Sequence, residues 1–213
     1  MRELHELPYA AYLGPLGEDP LPEADYDCVR LESAEYKEID LRNARFSESA
    51  LADLVFAGGN LAHTRFTDVW LNHVDMTATS LAETTWLDAE IGGSAWIGVD
   101  AGGAELRRVE FAGCKFDGVN FRNVRLHEVT FRECLLREPD FAGARLTSVT
   151  FPGSRIDGLT LNKTTMTKVD FRGTQALSVA QGIESLRGAT VDHGQLMELA
   201  PSFAAALGLT VTD

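Results

Sequence analysis

An apolar residue recurs at every fifth position of this chain from Tyr26 to Ala176, with no insertion or deletion. A period of five matches neither the 3.6 residues of an α-helix nor the two residues of an ordinary strand. A fixed short period over most of a chain is typical of a repeat architecture. The sequence therefore predicts a solenoid, which offers outer surfaces and has no built-in cleft.

A second column lies two residues before each of these central residues. Its side chains are small or β-branched, for example Ala44, Val69, Val74, Ala104 and Val119. Gly, Asn, Asp, Ser and Thr fill many of the remaining positions, as tight turns require. A ladder of polar residues at 20-residue intervals is interpreted as hydrogen bonding along stacked turns rather than as an active strip: Asp40, Asn60, Ser80, Asp100, Asn120, Asp140 and Thr160.

The combined motif, small–x–large–x–x, resembles that of the pentapeptide-repeat proteins, Ala–Asp/Asn–Leu/Phe–x–x. Val119–Asn123 and Val169–Gly173 match it closely, and the resemblance covers residues 26–176. It implies an all-β fold, a right-handed quadrilateral parallel β-helix in which four pentapeptides form one square coil of 20 residues. At the strand spacing of about 4.8 Å, nearly eight coils would make a rod roughly 37 Å long with a filled interior.

The chain divides into three segments. Residues 1–25, with four prolines, are predicted to be an N-terminal cap segment, and residues 26–191 the β-helix. Residues 192–213 are predicted to be a C-terminal helical cap, because Asp192 and Gln195 have the spacing of a capping box. We expect Pro201 to divide this cap into two short helices, with Gly208 as the stop.

The C-terminal cap is also a candidate dimerisation module. Its helices are apolar on more than one side, and relatives in the family that the chain resembles dimerise end to end through such a module. A homodimer through the C-terminus is therefore predicted, with these residues at the contact: Leu196, Met197, Phe203 and Leu207.

Composition restricts the partners and the compartment. The net charge of −13 argues against direct nucleic-acid binding. No apolar run is long enough for a membrane span, and the N-terminus lacks the features of a signal peptide, so a cytoplasmic protein is expected. Cys114 and Cys134, 20 residues apart, should lie on adjacent coils, either as buried free thiols or close enough to bridge.

The sequence contains no motif that indicates catalysis. A Gly-rich phosphate loop, HExxH and GxSxG are all missing. His63 and His73 are ten residues apart, which places them on opposite sides of a square coil, where they cannot share a metal. We therefore expect no enzymatic activity, no cofactor and no metal site.

Charge is unevenly distributed along the predicted rod. Residues 26–105 hold 14 acidic and 5 basic residues, a net charge of −9, whereas residues 106–180 hold 8 acidic and 12 basic residues. Between Phe66 and Glu105 there is no Lys or Arg. Nine net charges over about 19 Å are one per roughly 2 Å, close to the roughly 1.7 Å of duplex DNA.

The family resemblance attaches a function to this acidity. The best-understood members are similar to B-DNA in size, shape and charge. They bind type II topoisomerases, DNA gyrase above all, and protect them from quinolone-type poisons. A DNA-mimic function is therefore predicted, with this acidic partner-binding surface: Glu48, Asp53, Asp68, Asp75, Asp88 and Glu90.

Two features oppose the DNA-mimic hypothesis. Arginines in the second half of the rod imitate phosphates poorly, and Trp70, at an outward position, could instead anchor a protein partner unless the N-terminal segment shelters it. The alternative is a general protein–protein interaction scaffold with an unrelated target.

Overall fold

The computed structural model describes residues 1–210 and is a parallel β-solenoid of about eight coils with one C-terminal α-helix. The fold class expected from the sequence is confirmed. Residues 211–213, the end of the predicted C-terminal cap, lie outside the described residues. The strands are β1 Gly14–Pro15, β2 Asp25–Asp27, β3 Val29–Lys37, β4 Arg45–Ser47, β5 Ala50–Ala57, β6 Arg65–Thr67, β7 Trp70–Thr77, β8 Thr85–Gly92, β9 Ala95–Ile97, β10 Glu105–Ala112, β11 Lys115–Asp117, β12 Arg125–Arg132, β13 Leu135–Arg137, β14 Arg145–Thr150, β15 Arg155–Thr160, β16 Thr165–Thr167, β17 Val169–Asp170, β18 Ala176–Gln181 and β19 Ala189–Thr190.

Through most of the repeat, each strand pairs in parallel with the strand one coil further along, so that residue n lies beside residue n + 20. Phe46 is beside Phe66, and Phe111 is beside Phe131. Every coil has four sides, which we name by their central residues. Side A carries Tyr26, Phe46 and every twentieth residue onward, side B carries Leu31 and Leu51, side C carries Tyr36 and Phe56, and side D carries Leu41 and Leu61.

The central residues fill the interior in stacked columns. On side B, Phe111, Phe131, Phe151 and Phe171 are buried, and successive ring centroids are 5.0–5.1 Å apart with nearly parallel planes. That spacing suits offset stacking of aromatic rings and equals the distance that the backbone ladder imposes. Packing and backbone hydrogen bonding therefore select the same register.

The corners of the coils need a left-handed backbone. Every fifth residue from Glu23 to Gly173, two positions after a central residue, has a φ between 45° and 80°. Glycine adopts this conformation without strain, and Asn and Asp adopt it more readily than other residues. Gly59 has a further constraint, because a Cβ there would lie 2.7 Å from the carbonyl oxygen of Ile39.

The polar ladder on side D stabilises the turns, as the sequence analysis expects. The side chains of Asp40, Asn60, Asp100, Asn120 and Asp140 each accept a hydrogen bond from the backbone N–H two residues on. These Asx-type bonds hold the corner that follows. The ladder is therefore part of the scaffold.

The last coil departs from the predicted column. Ile156 pairs with Leu177 rather than with Ala176, and Leu177 is the buried residue there. One extra residue is therefore inserted before β18, and the prediction of Ala176 as a central residue is wrong. The interior favours the larger side chain, because it fills the end of the side C column, next to Ile156.

The N-terminal segment covers both the open end and one side of the rod. Gly14 and Pro15 pair with Val29 and Arg30 and so continue the sheet over the first coil. Residues 1–13 lie along side B, where Leu7 and Tyr9 pack on Trp70, which is 5 % exposed. The Trp70 indole donates to the carbonyl oxygen of Arg2 at 2.9 Å. Trp70 is therefore sheltered and is no free anchor.

A single helix, α1 His193–Ala206, closes the other end. Asp192 and Gln195 form the predicted capping box, and Gly208 ends the helix with a φ of 69°. The predicted division at Pro201 is wrong, because Pro201 lies inside α1. Leu199 and Phe203, on either side of the proline, both pack on the core, and this packing holds the helix across the missing hydrogen bond.

Cys114 and Cys134 are buried free thiols rather than a disulfide. Their sulfurs donate to the carbonyl oxygens of Ile91 and Phe111 on the preceding coils, at 3.3 and 3.5 Å. The contact with Cys114, together with burial, raises the pKa of the Cys134 thiol.

Among residues 1–210, no helix is both long enough and apolar enough to cross a membrane.

We predict that Phe131→Ala lowers the free energy of unfolding by about 3–5 kcal/mol, because it leaves a cavity in the middle of the aromatic column. Urea unfolding followed by circular dichroism measures the change. Phe131→Leu keeps most of the volume and should cost clearly less. Equal losses from the two variants would contradict the stacked-column account.

Candidate protein-binding surface

The six acidic residues predicted from the sequence do not form one continuous surface. Glu48, Asp68 and Asp88 make a row on adjacent coils, at the corner between sides A and B. Glu90 lies on side B itself, Asp53 at the corner between sides B and C, and Asp75 on side C.

Two of the six are neutralised within the chain. Arg108 donates two hydrogen bonds to Asp88, at 2.5 and 2.6 Å, and thereby holds the pKa of that carboxyl below its ordinary value. Arg2 binds Glu90 through its backbone N–H and its guanidinium, at 2.6 and 2.5 Å. Both carboxylates line a shallow depression of about 290 Å³ beside the N-terminal segment. They are therefore the least available to a partner.

The other four lack a Lys or Arg partner among residues 1–210. Glu48 accepts only a weak contact from the Cys28 thiol at 3.6 Å, and Asp53 lies 3.4 Å from the ring of His73. Asp75 accepts the backbone N–H of Ala95 at 2.8 Å. Partial burial, followed by repulsion from Asp88 and Glu48, raises the pKa of Asp68.

Backbone geometry accounts for part of this acidity. Asp53, Asp68 and Asp88 occupy left-handed corners, where Asp is tolerated for conformational reasons alone. Glu48 also occupies such a corner, with a φ of 45°, and it is one of seven Glu residues at left-handed corners, which lie in both halves of the rod. An acidic residue at a corner is therefore not by itself a sign of a binding surface.

Two acidic residues outside the predicted set belong with it. Glu83 has only His63 nearby, at 3.6 Å, and Asp100 bonds to the side chain of Asn120. With Asp68 and Asp75 they place acidic groups on sides C and D and at the A–B and D–A corners of the third and fourth coils. The absence of Lys and Arg between Phe66 and Glu105 was the sequence signal that could have identified them.

The predicted dimerisation residues are placed differently from one another. Met197 and Leu207 are 61 % and 74 % exposed, and Leu196 is also exposed. Phe203 is half-buried, because it packs on the last coil. It therefore helps to hold α1 on the rod, whereas the other three are available to a second chain.

One group in residues 1–210 has the composition of a metal site. The ligand atoms of Asp27, Cys28 and Glu48 lie within 4.8 Å of one another near the first coil. Desolvation, followed by the charge of Asp27 and the contact with Glu48, raises the pKa of the Cys28 thiol. We assign no metal there, because exposed acidic groups commonly cluster without one.

Family comparisons identify the repeat. A sequence model described as "Pentapeptide repeat region" matches residues 104–180, and one described as "Pentapeptide repeats (8 copies)" matches residues 39–77. Together they cover just over half of the chain. The chain belongs to the pentapeptide-repeat family.

The solved structures to which the chain is similar share little sequence with it. QnrB1, a plasmid-mediated fluoroquinolone resistance protein, is 16 % identical in a trypsin-treated form, with 94 % of this chain and 98 % of that chain covered and a TM-score of 0.43. HetL, involved in heterocyst differentiation regulation in the cyanobacterium Nostoc sp., is 16 % identical, with 84 % and 93 % covered and a TM-score of 0.40. No curated protein sequence matches the chain.

Asp68 and Asp88 offer a matched pair of substitutions at equivalent corners. An Asp whose pKa is raised by folding destabilises the fold above that pKa, whereas one whose pKa is lowered stabilises it. At pH 7 we therefore predict that Asp68→Asn raises the unfolding temperature and Asp88→Asn lowers it, each by about 1–2 °C, because exposed charges contribute under about 1 kcal/mol.

Thermal unfolding by circular dichroism measures both shifts. Asn accepts the left-handed corner as readily as Asp, so backbone strain does not enter the comparison. As the pH falls and the carboxyls gain protons, the difference between the two variants should shrink. Shifts of the same sign at pH 7 would contradict the assigned electrostatics.

Proposed function

We propose that the protein is a non-catalytic binding protein whose acidic half docks on the DNA-binding surface of a type II topoisomerase. DNA gyrase is the target that the family resemblance suggests. The observation that carries the proposal is the uncompensated acidity of the third and fourth coils. Asp68, Asp75, Glu83 and Asp100 have no Lys or Arg partner within residues 1–210 and lie around the rod.

The acidic residues expected to contact a partner are a revised subset of the sequence prediction. Glu48, Asp53, Asp68 and Asp75 keep their charge, whereas Asp88 and Glu90 are occupied by arginines of the same chain. A basic surface that normally contacts phosphates would be attracted to these carboxylates and steered towards them. The interaction should therefore weaken as salt is added.

The basic second half is less of an obstacle than its composition suggests. Many of its arginines are bound to carboxylates of the same rod: Arg122 to Asp140, Arg132 to Glu110, Arg137 to Asp117, Arg155 to Asp157 and Arg172 to Asp170. These five arginines therefore offer less unpaired positive charge to a partner than their number suggests. A general interaction scaffold with an unrelated target remains the alternative, and the same binding surface would serve it.

The C-terminal helix is proposed to join two copies end to end. Leu196, Met197 and Leu207 are exposed on α1 and just after it, beyond the last coil. Apolar side chains gathered at one end of a rod are a common site of self-association.

We place the protein in the cytoplasm, which agrees with its three free cysteines.

The gyrase proposal predicts inhibition of DNA supercoiling, or protection from a quinolone, at micromolar protein. Neutralising Asp68→Asn, Asp75→Asn and Glu83→Gln together should weaken that effect about tenfold or more, since each charge contributes to steering and register. A gel-based supercoiling assay measures it over a protein titration.

The matched control is Glu128→Gln, Glu133→Gln and Glu138→Gln, which removes the same charge from three left-handed corners of the second half that lack a Lys or Arg partner within residues 1–210. It should leave the effect within about threefold of the parent. No effect of the parent protein on gyrase would refute the target and leave the scaffold alternative. Equal loss in both variants would refute the proposed surface.

For the C-terminal contact, we predict that Met197→Glu converts an end-to-end dimer to monomer, because it places a charge in the apolar contact. Size-exclusion chromatography with light scattering measures the mass. A parent protein that is monomeric at high micromolar concentration would contradict the predicted dimer.

A further inference from the structure

Side C carries a flat, apolar and unpartnered patch. Val55 and Ile97 are 42 % and 40 % exposed, and they are the large hydrophobic residues that are exposed on the repeat within residues 26–176. Ala57 and Ala95 lie beside them, and the adjoining corners are Gly58, Ala78, Gly98 and Gly118. These small corners leave the edge of the patch low, so that a second flat surface can approach closely.

The outward residues of side C form two parallel rows along the rod. Strand register places Glu35, Val55, Asp75, Ala95 and Lys115 in one row. The other row runs Lys37, Ala57, Thr77, Ile97 and Asp117. In each row, the residue on the first coil therefore carries a charge opposite to that of the residue on the fifth coil.

This pattern is self-complementary about its middle coil. A two-fold axis along the strand direction through Asp75 and Thr77 would bring the first coil of one copy against the fifth coil of another. Glu35 would then face Lys115 of the second copy, and Lys37 would face Asp117. Sizes alternate too, since Val55 would face Ala95 and Ile97 would face Ala57.

We propose that side C of the first five coils is a self-association surface, on which a second copy of this chain packs antiparallel about that axis. A second copy fits this surface for two reasons. Opposite charges meet on the first and fifth coils, and large side chains meet small ones on the second and fourth coils. In one copy, Lys37 binds Glu35 at 3.2 Å, and Asp117 is bound by Lys115 at 3.7 Å and by Arg137 of the next coil at 3.8 Å. These exposed pairs can exchange partners on association.

Two physical terms limit the strength of this contact. The patch is about 24 Å by 10 Å at strand spacing, well below the surface that a stable interface buries per partner. Asp75 would face its own copy across the axis, and like charges in contact repel. The dimer is therefore weak, and removal of the Asp75 charge strengthens it.

The contact is separate from the one proposed at the C-terminal helix. Two different two-fold contacts on one chain build an open chain of molecules rather than a closed dimer. Side C is therefore tested in the Met197→Glu protein, where the helix contact is removed. Its outcome is independent of any effect on gyrase.

Sedimentation equilibrium from about 20 μM to about 1 mM measures the dimer, a range that suits a weak interface. Lys37→Glu and Asp117→Lys should each weaken association about threefold to tenfold, and the double variant should restore it, because the exchanged charges again face opposite signs. Asp75→Asn should tighten association, since Asn keeps the acceptor that Ala95 uses. Unchanged unfolding temperatures show that each variant is folded.

Cross-linking gives a second readout on the axis. In a Cys28→Ser background, Thr77→Cys should form a disulfide-linked dimer under mild oxidation, because each Thr77 faces its own copy. Thr167→Cys, an exposed threonine at the equivalent position of side A, is the control and should form several-fold less. The proposal would be overturned if neither the parent nor Asp75→Asn formed a dimer at 1 mM. It would also be overturned if the double charge variant associated no more tightly than the single variants, or if the two cysteine positions cross-linked equally.

Discussion

The stacking of equivalent side chains on successive coils is the interaction on which the whole molecule depends. Backbone hydrogen bonds hold residue n beside residue n + 20, and that distance is also the contact distance of two aromatic rings. The size and shape of each side chain inside the rod must therefore match those of its neighbours one coil before and one coil after. This condition leaves no interior space for a ligand, so that binding must take place on the outside.

The outer surface is shaped by the same geometry. A left-handed corner at every fifth residue favours Gly, Asn and Asp, and part of the surface charge follows from that requirement. Acidic residues that lie away from the corners and have no basic partner within residues 1–210, such as Asp75, carry more weight in assigning a binding surface. Small corners next to Val55 and Ile97 have a second consequence, since they make side C flat enough to receive another flat surface.

Much of the fold could be predicted because its contacts repeat at constant sequence separation. The central column, the 20-residue register, the side D ladder and the Asp192–Gln195 capping box all follow from local spacing. The extra residue before Leu177 could not be predicted, because it depends on which side chain fills the end of a column. Pro201 within α1 has the same kind of cause, since packing of Leu199 and Phe203 outweighs a local rule.

Some features of the candidate site follow from the sequence, and others only from the tertiary structure. The sequence by itself determined the coil, the inward and outward positions, and the acidic excess of the first half, since each depends on the order of residues along one strand path. Only the tertiary structure decided which acids stay free. Arg2 reaches Glu90 from 88 positions away, and Trp70 lies beneath a segment more than 50 residues distant. Such contacts do not recur at a constant sequence separation. They depend on which part of the folded surface a distant segment packs against.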